Sequence, residues 1–389
     1  MRLLRSQSTL TRNDEVNKFE PGKFPGRVAL QQRVLPRYRV AFLETLAQAC
    51  VSGLYVFAGQ ALEVEGIEPA ESLQVAHLTR AQNLYFRDPS SKLFLCWQKG
   101  FVHWLEENQP VALIVEANPR NLATRLAVRW MHRRGKPVVG WGLGAPTVTG
   151  AMSALRNWER LSLLHSLDAV IAYSRRGAEQ YRSLGLPAER VFVASNAVAP
   201  RPSQPPLVKP IGVNASLTVL FIGRLQERKR LDHLLYACAA LPHDKQPRLL
   251  IAGDGPERER LQALAQEIYP HAEFLGAKHG ADLEPYFAAA DLFVLPGTGG
   301  LAVQQAMAHA LPVIVARGDG TQEDLVRPEN GWQIASDNLE ALKEALGLAL
   351  SDPDRLRRMG QEAYRVVAEE VNIEEMARVF VEALNKVRQ

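Results

Sequence analysis

The chain has 389 residues, 47% apolar and 23% charged, with a net charge of +4. That length predicts two domains, and the composition is that of a globular protein, against a fibrous or disordered one. The charge is split: residues 1–210 hold 27 Lys and Arg against 16 Asp and Glu (+11), and the rest hold 19 against 26 (−7). An uneven balance of this kind suggests that the first half faces something anionic. No basic run interleaved with aromatics stands out, so nucleic acid is not the expected partner. Cys50, Cys96 and Cys238 are far apart and odd in number, which argues for reduced structural thiols in a cytosolic protein. The opening Met1-Arg-Leu-Leu-Arg lacks the apolar core of a signal peptide, and no apolar run approaches the ~20 residues that cross a bilayer. A cytoplasmic protein is expected, one that meets a membrane only from its inner face.

Residues 1–26 are polar and end in Pro21-Gly-Lys-Phe-Pro-Gly26, which predicts a tail. A first strand is expected at Arg27-Val-Ala-Leu-Gln-Gln, then a helix from Tyr38 to Ala49 with Pro36 near its start. Strands follow at Gly53–Ala58, Val111–Glu116, Pro137–Trp141, Ala169–Tyr173 and Val191–Ala194, with helices running through Arg134 and Leu184 and Gly135 as a stop. Between 200 and 210 there are five prolines and no apolar period, which predicts a linker. The alternation resumes with strands at Leu217–Ile222, Arg248–Gly253, Ala272–Gly276, Leu292–Pro296 and Val313–Ala316, and a helical pattern from about Leu339. Short apolar strands alternating with helices mean a parallel sheet covered on both faces. The expected architecture is α/β: two doubly wound, Rossmann-like domains, 27–199 and 211–389, with a cleft between the carboxyl ends of their strands.

The most informative segment is Phe221-Ile-Gly-Arg-Leu-Gln-Glu-Arg-Lys-Arg230. A strand stops at Gly223 and presents Arg224 and Lys229 beside a helix start, an arrangement suited to phosphate. Gly297-Thr298-Gly299-Gly300-Leu301 precedes another helix and lets backbone N–H groups approach an oxyanion. The turn Gly253-Asp254-Gly255-Pro256 reads as structural, a strand cap that starts a helix.

Taken in order, Gly223-Arg-Leu with Lys229, Ala252-Gly-Asp-Gly-Pro-Glu257, Phe274-Leu-Gly276, Ala290-Asp-Leu-Phe-Val-Leu-Pro296, Gly300-Leu301 with Gln305-Ala-Met-Ala308, and Leu311-Pro-Val-Ile314 resemble one family. It is the retaining GT-B glycosyltransferases of group 1 (family 4), and the resemblance covers about residues 217–335. In the first half, Gln32–Val40, Glu116-Ala-Asn-Pro119, Trp141-Gly-Leu-Gly144, Ala172-Tyr-Ser174 and Ser195-Asn-Ala197 resemble a subgroup more loosely.

The resemblance implies a hexosyltransferase that moves a sugar from a UDP- or GDP-sugar to a glycan, lipid-linked or small-molecule acceptor. It needs neither metal nor cofactor. Arg224 and Lys229 would be catalytic through the leaving diphosphate, and Gly223, Gly276, Ala277, Gly297, Thr298, Gly299, Gly300, Leu301 and Gln305 would bind the donor. Arg37, Tyr38, Arg39, Glu116, Asn118 and Arg120 would face the acceptor. The +11 charge of residues 1–210, for its part, suggests an anionic membrane surface as a further partner.

The chain also departs from the pattern. Gly297 and Gln305 stand where most members carry glutamates, and Leu143 stands where a histidine is common. A GT-B protein that binds nucleotide or sugar as a partner subunit without transferring is the alternative this raises. A remoter one is a dehydrogenase, since Gly297-Thr-Gly-Gly-Leu-Ala302 followed by Asp319 also fits a nicotinamide fingerprint.

Overall fold

In the computed structural model, residues 22–87, 91, 94–147, 150, 153–204 and 216–388 are described. Residues 1–21 of the expected tail and 205–210 of the expected linker lie outside them.

The first sheet contains β1 (Val28–Val34), β2 (Leu54–Gly59), β3 (His77–Arg80), β6 (Ala112–Glu116), β7 (Val138–Gly142), β8 (Ala169–Ala172) and β9 (Val191–Val193). Its order is β3-β2-β1-β6-β7-β8-β9, with every pairing parallel. Beside it, β4 (Gln82–Phe86) and β5 (Leu95–Lys99) form an antiparallel pair. The second sheet contains β10 (Thr218–Ile222), β11 (Arg248–Ala252), β12 (Glu273–Gly276), β13 (Leu292–Leu295), β14 (Val313–Ala316) and β15 (Gly331–Ile334). Its order is β12-β11-β10-β13-β14-β15, again all parallel. The central strands are buried along their length, as strands covered by helices on both faces must be.

In both sheets the strand order reverses at the first strand, β1 between β2 and β6 and β10 between β11 and β13. Ligands of doubly wound sheets bind at such switch points, outside the carboxyl ends of the strands. The loops that leave β1 and β10 are therefore the ones the fold singles out, and they hold Arg37–Arg39 and Gly223–Lys229.

Five elements escape the pattern of the sequence. β3 is a polar, largely exposed edge strand, β15 is short and lies at the other sheet's edge, and the β4–β5 pair and the helix Phe101–Asn108 follow no apolar run. The aromatic stretch from Phe94 to Trp104 packs inward. Phe94, Phe101 and Trp104 are buried, and the Phe101 and Trp104 rings lie 5.2 and 5.0 Å from Phe57. The expected helix from Tyr38 begins as a 3-10 turn, Arg37–Arg39, and becomes α-helical at Val40–Ala49.

The helical C-terminal stretch is three helices, Leu339–Leu350, Pro353–Glu369 and Ile373–Arg388. The last one corrects the expectation that 211–389 packs as one unit. It crosses to the first sheet and lies on the helix Val40–Ala49, with the fully buried Phe380 ring 4.9 Å from Phe42 and 5.1 Å from Trp141. An apolar stripe says that a helix is covered, not which sheet covers it. Among the described residues no helix is long and apolar enough to cross a membrane. Removing the Phe380 ring should cost about 3–5 kcal/mol. Urea denaturation of Phe380→Ala checks this, and a loss well under 1 kcal/mol would mean that the helix is not anchored there.

Candidate functional site

The loop after β10 is held by backbone on both sides. Gly223 donates to Ala252 O (3.0 Å), Leu225 to Asp254 O (2.9 Å) and Glu257 to Leu225 O (3.1 Å). The contact is so close that a Cβ on Gly253 would lie 1.9 Å from Gly223 O, and one on Gly255 2.4 Å from Leu225 O. The Gly253–Pro256 turn thus forms the floor under Arg224. Asp254 accepts from the Gly255 N–H (2.7 Å) and from Arg258 (2.6 Å), which together hold its carboxyl below the usual range. Gly276 O accepts from the Gly253 N–H at 2.8 Å, so Gly276 joins the same framework, while Ala277 is exposed just beyond it.

Lys229 ends the 3-10 turn Glu227–Lys229 and is 6% exposed. Its ammonium donates to Thr298 O (2.9 Å) and to Gly299 O. Burial first and the Arg228 charge second push its pKa down to about 8, partly offset by Asp319. The two loops are also joined by Thr298 N–H donating to Arg228 O (3.0 Å) and by Arg228 Nη1 donating to Thr298 O (3.1 Å). That corrects one expectation: the Thr298 amide is spent on Arg228 and does not face a ligand. The Gly299 and Gly300 amides donate to no group among the described residues. Gly297 is glycine for a steric reason, since a Cβ there would meet Arg228 O at 2.2 Å and Lys229 Cα at 2.4 Å. The position that bears a glutamate in most of the resembled enzymes has no room for any side chain here.

Arg224 reaches out of this framework. It is exposed, and its Nη1 donates to Glu65 O across the cleft at 3.2 Å, lying over Gly66. The Glu65 carboxylate is in turn held by Arg33 at 2.6 Å. Gln305 is half-buried on the helix Ala302–Ala308, behind the half-buried Leu301, and its side chain has no partner among the described residues. Its neighbour Gln304, not singled out in the sequence, is buried and structural. It accepts from the Val198 and Ala199 amides (2.6 and 3.0 Å) and donates to Val371 O (2.6 Å), pinning the strand-exit segment of the first domain to the second.

The first-domain candidates separate into three kinds. Arg37 is exposed and paired with Glu68 at 2.5 Å. Glu116 accepts from Arg33 N (3.0 Å) and Asn121 Nδ2 (2.5 Å), and burial pushes its carboxyl up; Asn118 shapes the following turn by accepting from Arg120 N at 3.1 Å. Arg39 is enclosed instead, with its guanidinium 4.8 Å from the Trp141 ring, 5.3 Å from Tyr38 and 5.5 Å from Tyr173. Its Nη1 and the Trp141 Nε1 have no hydrogen-bond partner among the described residues, and burial pushes the Tyr173 hydroxyl up to about 12. Tyr38 is the one exposed aromatic ring of this set, beside the exposed Arg37 and Arg120.

Further contacts join the two halves at the rim: Arg175 N–H donates to Asp324 (2.7 Å) and Arg176 to Gly318 O (3.0 Å). No sequence motif announces them. Among the described residues no group of three or more His, Cys, Asp or Glu could hold a metal ion. The dinucleotide fingerprint at Gly297 fails on geometry: it follows β13 rather than the central β10, the Arg228–Lys229 backbone covers its first glycine, and Asp319 faces Lys229 electrostatically.

Because the Gly297 contact is backbone on backbone, Gly297→Ala should destabilise the fold by more than about 1–3 kcal/mol, the usual range for overpacking. Gly297→Glu should not raise activity. Thermal melts and turnover check both, and a stable, more active Gly297→Glu would contradict the packing described.

Residues 210–366 match the family described as glycosyl transferases group 1. The lipopolysaccharide core biosynthesis glycosyltransferase LpsE of Rhizobium meliloti is 25% identical over 309 residues, covering 72% of this chain and 87% of LpsE. A GDP-mannose-dependent alpha-mannosyltransferase of Corynebacterium glutamicum is 31% identical over 51% of this chain and 48% of its own length. Among solved structures, HepE of Anabaena in complex with UDP superposes with a TM-score of 0.69 at 17% identity, covering 92% of this chain and 99% of that one. The two switch-point sheets and the phosphate-suited loop after β10 agree with these likenesses: the chain has the GT-B fold, and its second half matches the group 1 glycosyltransferases.

Proposed function

We propose that this enzyme transfers a hexose from a nucleoside-diphosphate sugar to a hydroxyl of a glycan or lipid-linked acceptor, with retention at the anomeric carbon. The observation that carries the reading is the pair of cations at the switch point, Lys229 buried against the Thr298–Gly299 carbonyls and Arg224 reaching across the cleft to Glu65 O. A diphosphate placed there takes the Lys229 ammonium and the Arg224 fork, with the amides of Gly299 and Gly300 as further donors. The acceptor oxygen bonds to the anomeric carbon as the bond from that carbon to the phosphate oxygen breaks. The acceptor's proton passes to the departing phosphate on the same face. No protein base is needed, which fits a site with glycine at 297, glutamine at 305 and leucine at 143. The cations act on charge that grows as the bond breaks, where such contacts accelerate rather than merely bind. UDP and GDP are the bases to test first, since HepE was solved with UDP and the Corynebacterium relative is named for GDP-mannose.

The test is release of nucleoside diphosphate from a panel of nucleotide sugars, with and without a lipid extract. Arg224→Ala and Lys229→Ala should each lower turnover by about 100-fold or more, the scale of losing one transition-state donor, with the fold intact. Full activity in both would sink the assignment, and nucleotide binding without any turnover would mark the chain as a non-transferring subunit.

Gln305→Ala should raise the donor KM by roughly tenfold or less and leave kcat nearly unchanged, as loss of one ribose hydrogen bond would. A thousandfold fall in kcat would place that side chain in the transition state.

Lys229 supplies a pH dependence. Its folded pKa is pushed to about 8, and a bound diphosphate raises it again, so the complex takes up a proton when it forms above that pH. Donor affinity should be constant below about pH 8, fall as pH rises beyond it, and lose this dependence in Lys229→Arg. A flat profile in the unmutated protein would contradict the reading.

A further inference from the structure

The helix Ser153–Leu164 buries only its last turn. Leu163 and Leu164 are 1% exposed, while Leu155 and Trp158 stand 48% and 63% exposed. A spacing of three puts both on one face, and among the described residues no packing accounts for a tryptophan and a leucine turned together to water.

The surroundings are basic. Arg156 and Arg160 share the helix, on which Glu159 is the only acidic residue. Arg160 donates to Pro146 O at 2.6 Å and lies within the electrostatic reach of Arg120. The neighbouring helix, Leu122–His132, is tied on by Arg125, which donates to Ser162 Oγ (3.0 Å) and Glu159 O (2.9 Å), and it exposes Leu126 and Arg129. Pro146 and Arg120 lie in the segments that leave the carboxyl ends of β7 and β6, so this face adjoins the cleft side of the first sheet. It also lies in the half of the chain that carries +11, opposite a half that carries −7.

We propose that the Leu155–Trp158 face docks on an anionic lipid surface. The tryptophan and leucines would seat at the headgroup level, where an amphipathic ring is most favourable, and the arginines would supply the attraction to acidic headgroups. The opposed charge of the two halves sets the orientation: the first domain meets the lipid and the second faces away from it. If the acceptor is lipid-linked, which rests on the reading above, this docking brings it to the mouth of the cleft.

Flotation of the full chain with phosphatidylglycerol–phosphatidylethanolamine vesicles, against phosphatidylcholine vesicles, tests the docking separately from the chemistry. The unmutated protein should float with the anionic vesicles at low salt, be released at high salt, and ignore phosphatidylcholine. Leu155→Ala/Trp158→Ala and Arg156→Glu should each lower the bound fraction by about tenfold. Thermal melts and nucleoside diphosphate affinity should stay unchanged in both, because these residues touch neither the core nor the cation pair. Absence of flotation, equal binding to phosphatidylcholine, or binding that ignores these substitutions would overturn the proposal. Loss of turnover with intact flotation would bear on the transfer reading alone.

Discussion

The contact on which the site depends is the approach of the Arg228–Lys229 backbone to Gly297. No Cβ fits between them, and the Thr298 amide and the Lys229 ammonium tie the same two loops together. A long, entropically costly lysine is thereby held nearly rigid before any ligand arrives, in surroundings that already disfavour its charge. A diphosphate that displaces the carbonyl contacts meets a preorganised cation instead of having to order one. The same economy holds on the other side of β10, where Gly253 and Gly255 let one turn lie against the backbone that presents Arg224. Two glycine turns therefore set the spacing of both cations.

The rest of the fold serves to bring a second surface to that loop. Arg224 touches Glu65 O, Gln304 holds the exit of the first domain, and the last helix crosses back to pack Phe380 between Phe42 and Trp141. These contacts differ in character. The Phe380 packing is buried and apolar, while Arg224–Glu65 and Arg176–Gly318 are exposed polar contacts of the kind that contribute little to stability. A cleft anchored at one end by a core and closed at its rim by weak contacts is suited to opening for a nucleotide and an acceptor.

The parallel core was legible because strands buried on both faces must be nearly continuous apolar runs, and β6, β10, β11, β13 and β14 are such runs. β3 and β15 were not, because an edge strand is covered on fewer sides and carries no such signature. The cation pair and the glycine turns could be read from spacing, but their roles only in part. Nothing in Gly297-Thr298 announces that the Thr298 amide is spent on Arg228, or that glycine at 297 is enforced by backbone two strands away in sequence. Arg39 shows the same limit: the resemblance turned it toward an acceptor, and nothing local announces the three aromatic rings, from three separate elements, that enclose it. Contacts made by a fold between distant segments leave no local period to find.

The claim that everything rests on is that Arg224 and Lys229 hold the phosphates of a nucleotide. Calorimetric titration of UDP and GDP into the unmutated chain and into the Arg224→Ala/Lys229→Ala double variant measures it directly. Saturable binding of one of the two nucleotides is expected, with a loss in the double variant of about 100-fold or more, the scale of two charge-assisted contacts. Equal affinity in the two proteins would contradict it.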